Sequence, residues 1–255
     1  YFGFVISRLG RFAAALRFLT IIPLPGSLGT TEDELTGATP FFPLVGLLLG
    51  CIAVPLVWLL HLLLPPLVTA VLATFFLLGF SGGLHLDGLA DTADGFFSSR
   101  ERSRMLEIMR DSRIGVMGVI AVVMVLLLKV SVLSGLERND AVRAALMMPI
   151  AGRSALVMMI FLLPYVRKEG GLGSPFYSKW VGWSLLLTMV VFFVAGFAAM
   201  GMKGIVAVLV VMFVVFLFSR MCHRKIGGAT GDTLGASCEI SETVVPFLLL
   251  PNFFI

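Results

Sequence analysis

Long apolar runs separated by short polar stretches set the frame of this chain. Six of them have the length that a hydrocarbon core of about 30 Å demands, which is about 20 helical residues. They are Phe41–Leu64, Val68–Gly88, Ile114–Leu136, Ala141–Val166, Trp180–Met200 and Gly204–Cys222. A seventh is less plain. Val244–Ile255 alone is too short to span, whereas a helix starting near Thr230 and running to Ile255 is long enough. That longer helix places Asp232, Glu239 and Glu242 along one side of its first half. The expected fold is all-α, a polytopic integral membrane helix bundle of about seven transmembrane helices. Ahead of it, Arg8–Ile22 carries Leu9, Phe12, Ala13, Leu16 and Leu19 on one face, the pattern of an amphipathic helix lying in the membrane interface. Pro23 and Pro25 end it, and Gly26–Pro40 reads as a polar loop in which Glu32, Asp33 and Glu34 open a short helix. No loop is long enough for a separate soluble unit, so residues 1–255 read as one transmembrane domain.

Composition strengthens this picture. Of 255 residues, 58% are hydrophobic and 13% charged, and the mean hydropathy is +1.03. A soluble domain has no use for so much apolar surface. The net charge of +4 calls for no nucleic-acid partner, because cytoplasmic loops of membrane proteins are routinely basic. With the N-terminus in the cytoplasm and seven spans, fourteen of the 19 basic residues fall on the cytoplasmic side and three opposite. That is a firm positive-inside pattern, and it puts the acidic ends of the second and seventh helices at the cytoplasmic face. Lys129 and Arg153 lie within spans. Lys129 is expected to snorkel to the outer interface. Arg153 is either a functional group or the partner of a buried acid. Three isolated cysteines show neither paired nor zinc-type spacing. Arg8, Arg11 and Arg17 interrupt Phe2–Pro25, which is not expected to be a cleavable signal.

The candidate chemistry starts at His85-Leu-Asp-Gly-Leu-Ala-Asp-Thr-Ala-Asp-Gly95. Asp87, Asp91 and Asp94 are spaced i, i+4, i+7 and share one helix face. Acids ~6 Å apart at an effective dielectric of ~20 repel by ~3 kcal/mol. A divalent cation turns that repulsion into coordination, and oxygen ligands with room for water suit Mg²⁺. The following segment pairs Ser98 with Glu101 in a capping-box pattern, which predicts a short helix. Met105, Leu106, Ile108 and Met109 would face the protein or bilayer, and Glu107 and Asp111 the polar side. Arg110 and Arg113 flank Asp111 in RDSRIG and complement a phosphate-bearing substrate, whereas Arg100 and Arg102 read as orientation-setting loop charges. Gly227–Ala236 is glycine-rich; Gly228, Thr230 and Gly231 offer close backbone approach and a helix N-terminus to a phosphate, with Asp232 as a further metal ligand or ribose acceptor. His85 stands on a different face from Asp87. Gly170–Pro175 reads as a flexible loop.

At these residues the sequence resembles the cobalamin (5′-phosphate) synthase family, the adenosylcobinamide-GDP ribazoletransferases. The likeness rests on ALRFLTIIPLP, FFPLVGLLLG, GGLHLDGLADTADGFFS, RMLEIMRDSRIGVMG and GGATGDTLGA, which run from one end of the chain to the other. The resemblance implies a multi-pass inner-membrane enzyme that requires Mg²⁺. Its substrates would be adenosylcobinamide-GDP and α-ribazole or its 5′-phosphate; GMP leaves as the lower nucleotide loop of coenzyme B12 is joined. Carried onto this chain, Asp87, Asp91 and Asp94 would hold metal, with Asp232 a further ligand. Asp111 would be the base, with Glu107 completing the site. Arg110, Arg113, Arg153, His85 and the Gly228, Thr230, Gly231 loop would bind substrate. CDP-alcohol phosphotransferases follow a related logic, but Asp91 stands where their motif has Arg, which counts against a phospholipid synthase. A cation transporter using the same acids would more usually place them near the bilayer midplane. The pattern is compatible with a homo-oligomer.

Overall fold

The computed structural model describes residues 2–167, 169–178 and 181–250, with side chains from residue 8 onward. The described residues are helical throughout, apart from turns and one isolated parallel bridge between Tyr165 and Ala229. The helix α1, Phe2–Leu19, leads into a short α2, Glu32–Thr36, whose Thr31 and Glu34 form a reciprocal capping box. The predicted acidic helix start is therefore present. α1 lies against the bundle: Ala13, Ala14, Ala15, Leu16 and Leu19 are buried, while Leu9 faces out. Arg17 ties the turn that follows by donating to the carbonyls of Leu24, Gly26 and Leu28.

Next come α3 (Phe42–Leu63), α4 (Pro66–Phe80) and α5 (Leu84–Phe96). The sequence predicts one span over Val68–Gly88, but the chain turns by 91° between α4 and α5. The cause is local. Gly82 and Gly83 both adopt positive φ, +59° and +76°, a conformation open to glycine and closed to a continuing right-handed helix. The aspartate-bearing segment thus forms a separate cross-lying helix.

α6 (Arg102–Ile108) is the short predicted helix, but it starts later than expected and Ser98 does not cap it. Ser98 instead donates to the Gly95 carbonyl at the end of α5. Met105 and Met109 are buried, as their spacing predicted. Four long helices follow: α7 (Val116–Ser134), α8 (Arg138–Leu162), α9 (Val181–Met200) and α10 (Met202–Ile226). The predicted start at Trp180 lies outside the described residues. α8 is the central helix, buried almost continuously from Ala144 to Ile160. α7 and α9 present Val119, Ile120, Val123, Leu127, Leu186 and Val190 outward, an apolar belt that only lipid covers favourably.

The last described helix, α11 (Gly231–Phe247), covers the first part of the predicted seventh span. It begins where predicted, but at 17 residues it is about 26 Å long. It is enclosed by protein because Glu239 and Glu242 have to be kept from lipid. The predicted extension over residues 251–255 lies outside the described residues. Among the described residues five helices are long and apolar enough to cross a membrane, six if α4 and α5 count as one broken span. The chain is a multi-pass membrane helix bundle.

A buried ionic cluster joins three of these helices. Lys129 of α7 donates to Glu239 at 2.7 Å and to Glu242 at 3.0 Å, and Arg153 of α8 pairs with Glu242. All four side chains are almost wholly enclosed. The expected snorkelling of Lys129 does not occur, because two carboxylates of α11 offer its ammonium a better partner than the interface. Arg153 is the partner of a buried acid.

Candidate active site

Several loops meet at one end of the bundle. Residues 164–166 run beside the glycine-rich segment, with Val166 N–H donating to the Ala229 carbonyl and Ala229 N–H to the Pro164 carbonyl. Lys225 donates to the Phe96 carbonyl at 2.8 Å, tying the ends of α10 and α5. The Ser174–Phe176 turn packs Phe176 between Phe18 and Phe42. Beneath this roof lies a cleft of about 110 Å³ whose polar walls are His85, Asp87, Arg167, Gly231 and Asp232, with Leu172 and Phe176 above.

Two helices build it. α5 and α11 cross so closely that a Cβ on Gly88 would sit 2.7 Å from the Asp232 carbonyl oxygen. Glycine at that position is therefore what brings the acids of α5 to the first turn of α11. Thr230 caps α11: its hydroxyl accepts from Thr233 N–H and donates to Asp232 at 3.1 Å. Gly228 packs against the Pro164 carbonyl, so its small size serves the chain's own close approach. Gly231 lines the cleft at the helix N-terminus, where free N–H donors favour an anion.

The aspartates divide. Asp87 is exposed on the cleft wall, and Asp91 is half-buried one turn on, with Asp232, Asp87 and Asp94 as its charged neighbours and Arg167 as the nearby cation. Asp94 is engaged: its carboxylate accepts from Gly115 N–H at 2.6 Å and Gly118 N–H at 2.8 Å, capping the first turn of α7. Among the described residues no group of three His, Cys, Asp or Glu side chains stands close enough to hold one metal ion directly. Arg167 is the group that sequence reasoning missed. Largely buried, it donates to Asp232 at 2.5 Å and to the Met109 carbonyl at 3.3 Å, while its Nε is buried without a partner.

Apart from His85, the remaining predicted residues lie outside this cleft. Glu107 pairs with Arg104 at 2.6 Å, and Arg110 with Glu169 at 2.6 Å. Arg113 holds Asp111 through two side-chain hydrogen bonds and one from its backbone. Those bonds pull the Asp111 carboxyl down to about 2, so it is a weak base until Arg113 lets go. His85 is buried in the wall with Nε2 unpartnered. Arg153 is committed to Glu242.

A membrane helix bundle that gathers carboxylates, a guanidinium and a helix N-terminus at one end has the groups with which an integral-membrane enzyme can bind phosphate esters. The chain belongs to the cobalamin-5-phosphate synthase family, whose model matches residues 11–250. It is 42% identical to the adenosylcobinamide-GDP ribazoletransferase of Desulforamulus reducens over 237 residues, 92% of this chain and 94% of the relative. It is 38% identical to that of Acetivibrio thermocellus over 246 residues, 96% of this chain and 98% of the relative. For the Escherichia coli K12 enzyme the identity is 40% over 246 residues, 94% and 98% of the two chains. No solved structure matches the chain.

Proposed function

We propose that this chain joins α-ribazole, or its 5′-phosphate, to adenosylcobinamide-GDP and releases GMP, the closing step of nucleotide-loop assembly in coenzyme B12. One observation carries the reading: Asp87, Asp232, Arg167 and the N-terminus of α11 face a single cleft roofed by the 170–176 loop. The ribazole hydroxyl oxygen bonds to the phosphorus that carries the cobinamide. The phosphoanhydride bond to the GMP portion breaks, GMP leaves with the electron pair, and the hydroxyl proton passes to a cleft carboxylate. Arg167 and the N–H groups at Gly231 neutralise the phosphate oxygens where charge builds up. The basic loops support a cytoplasmic orientation for this face, in an inner membrane.

The donor set fits Mg²⁺. Asp87, Asp91 and Asp232 bring three carboxylates against the one cation Arg167, and carboxylate oxygens dominate the donor set. Carboxylates spread along the cleft suit an ion that keeps several waters and takes substrate phosphate as a ligand. Bound there, Mg²⁺ would polarise the phosphate being transferred. The test is GMP release by purified protein in liposomes given adenosylcobinamide-GDP, α-ribazole and Mg²⁺. Release that drops about a hundredfold in Arg167→Ala is expected, the loss of a charged hydrogen bond of about 3 kcal/mol. No GMP from the wild type, with CMP formed from a CDP-alcohol lipid instead, would overturn it.

A further inference from the structure

A second cleft adjoins the first, and Arg167 lines both. It encloses about 390 Å³, and its charged and polar walls are Arg102, Ser103, Glu107, Arg110, Arg167 and Glu169. Both acids already have cations: Glu107 takes Arg104 and Glu169 takes Arg110, each at 2.6 Å. Arg102 has no acid partner among the described residues. Its guanidinium lies over Gly227, where a Cβ would come within 2.6 Å of it. Arg167 adds its buried, unpartnered Nε. Three guanidiniums and a hydroxyl therefore meet in a space with no carboxylate free to bind a metal.

The two clefts have opposite chemistry. The first, with its surplus of carboxylates, suits a diphosphate that arrives with a divalent cation. The second suits an anion that needs none, a phosphate monoester held by forked guanidinium donors. We propose that the Arg102–Arg110–Arg167 cleft is the subsite for a phosphate monoester on the acceptor substrate. This rests on the transferase reading above and extends it. A monoester seated there leaves Arg167 shared between the two phosphate groups, so that filling one cleft sets the geometry of the other. The Arg110–Glu169 pair is solvent-exposed and weak, and it gives way to a dianion.

The experiment compares α-ribazole 5′-phosphate with α-ribazole as acceptors, in wild type and in an Arg102→Gln/Arg110→Gln double variant. Wild type is expected to prefer the phosphorylated acceptor. In the double variant that preference in kcat/KM falls about tenfold or more, through KM for the phosphorylated acceptor. An Arg102→Lys/Arg110→Lys variant keeps the charge without the fork and retains part of the preference. A merely structural role for these arginines would lower turnover of both acceptors together and leave the preference unchanged, and that result overturns the proposal. A wild type with no preference overturns it equally. Wild type inactive on both acceptors would remove the functional reading beneath it.

Discussion

Lys129→Met is the sharpest probe of how the bundle holds its site. The ammonium lies 2.7 Å from Glu239 and 3.0 Å from Glu242, both almost fully enclosed. At an effective dielectric of 20 these attractions amount to about 6 and about 5.5 kcal/mol before desolvation. Part is returned because the variant no longer has to bury an ammonium. Orphaning one side of a buried pair costs about 3–5 kcal/mol net. Here two carboxylates would be left sharing Arg153 alone. Equilibrium unfolding in mixed micelles with rising dodecyl sulfate, followed by helical circular dichroism, reads the loss. The double variant Lys129→Met/Glu239→Gln restores charge balance and is expected to recover at least half of it. A single variant within about 1 kcal/mol of wild type, or a double variant no more stable than the single, would refute the reasoning. Because Glu239 sits two turns from Asp232 on α11, the single variant is also expected to lose more activity than its unfolded fraction explains.

Asp94→Ala removes the cap that accepts from Gly115 and Gly118, and thermal unfolding should show a loss of about 1–2 kcal/mol. Gly88→Ala drives a methyl into the Asp232 carbonyl, so GMP release should fall at least about tenfold while helix content holds. Arg113→Ala frees Asp111, whose carboxyl rises from about 2 toward the ordinary ~3.9. Since the folded value is the depressed one, the two forms differ only below about pH 5, where carboxylate NMR resolves them.

The apolar runs made the bundle legible, because bilayer thickness fixes helix length almost independently of tertiary context. The Gly82–Gly83 pair was visible too, but nothing in the flanking hydropathy says that two adjacent glycines take positive φ and turn a span through a right angle. The aspartate spacing put the three acids on one helix, which the structure forms as α5. It could not distinguish Asp87, open to the cleft, from Asp94, committed to backbone N–H groups more than twenty residues on. Lys129 was misjudged and Arg167 missed for one reason. Their partners Glu239 and Asp232 lie far along the chain, on a helix whose packing local pattern does not reveal. Read singly, one was a snorkelling lysine and the other merely one of fourteen basic residues on the cytoplasmic side.

In the proposed reaction, carboxylates of α5 and α11 hold a divalent cation against substrate phosphate. Electron paramagnetic resonance of Mn²⁺ with purified protein and GDP measures this without turnover. An Asp87→Asn/Asp91→Asn variant is predicted to bind Mn²⁺ about tenfold or more weakly than wild type. Equal affinity in the two proteins would contradict the account.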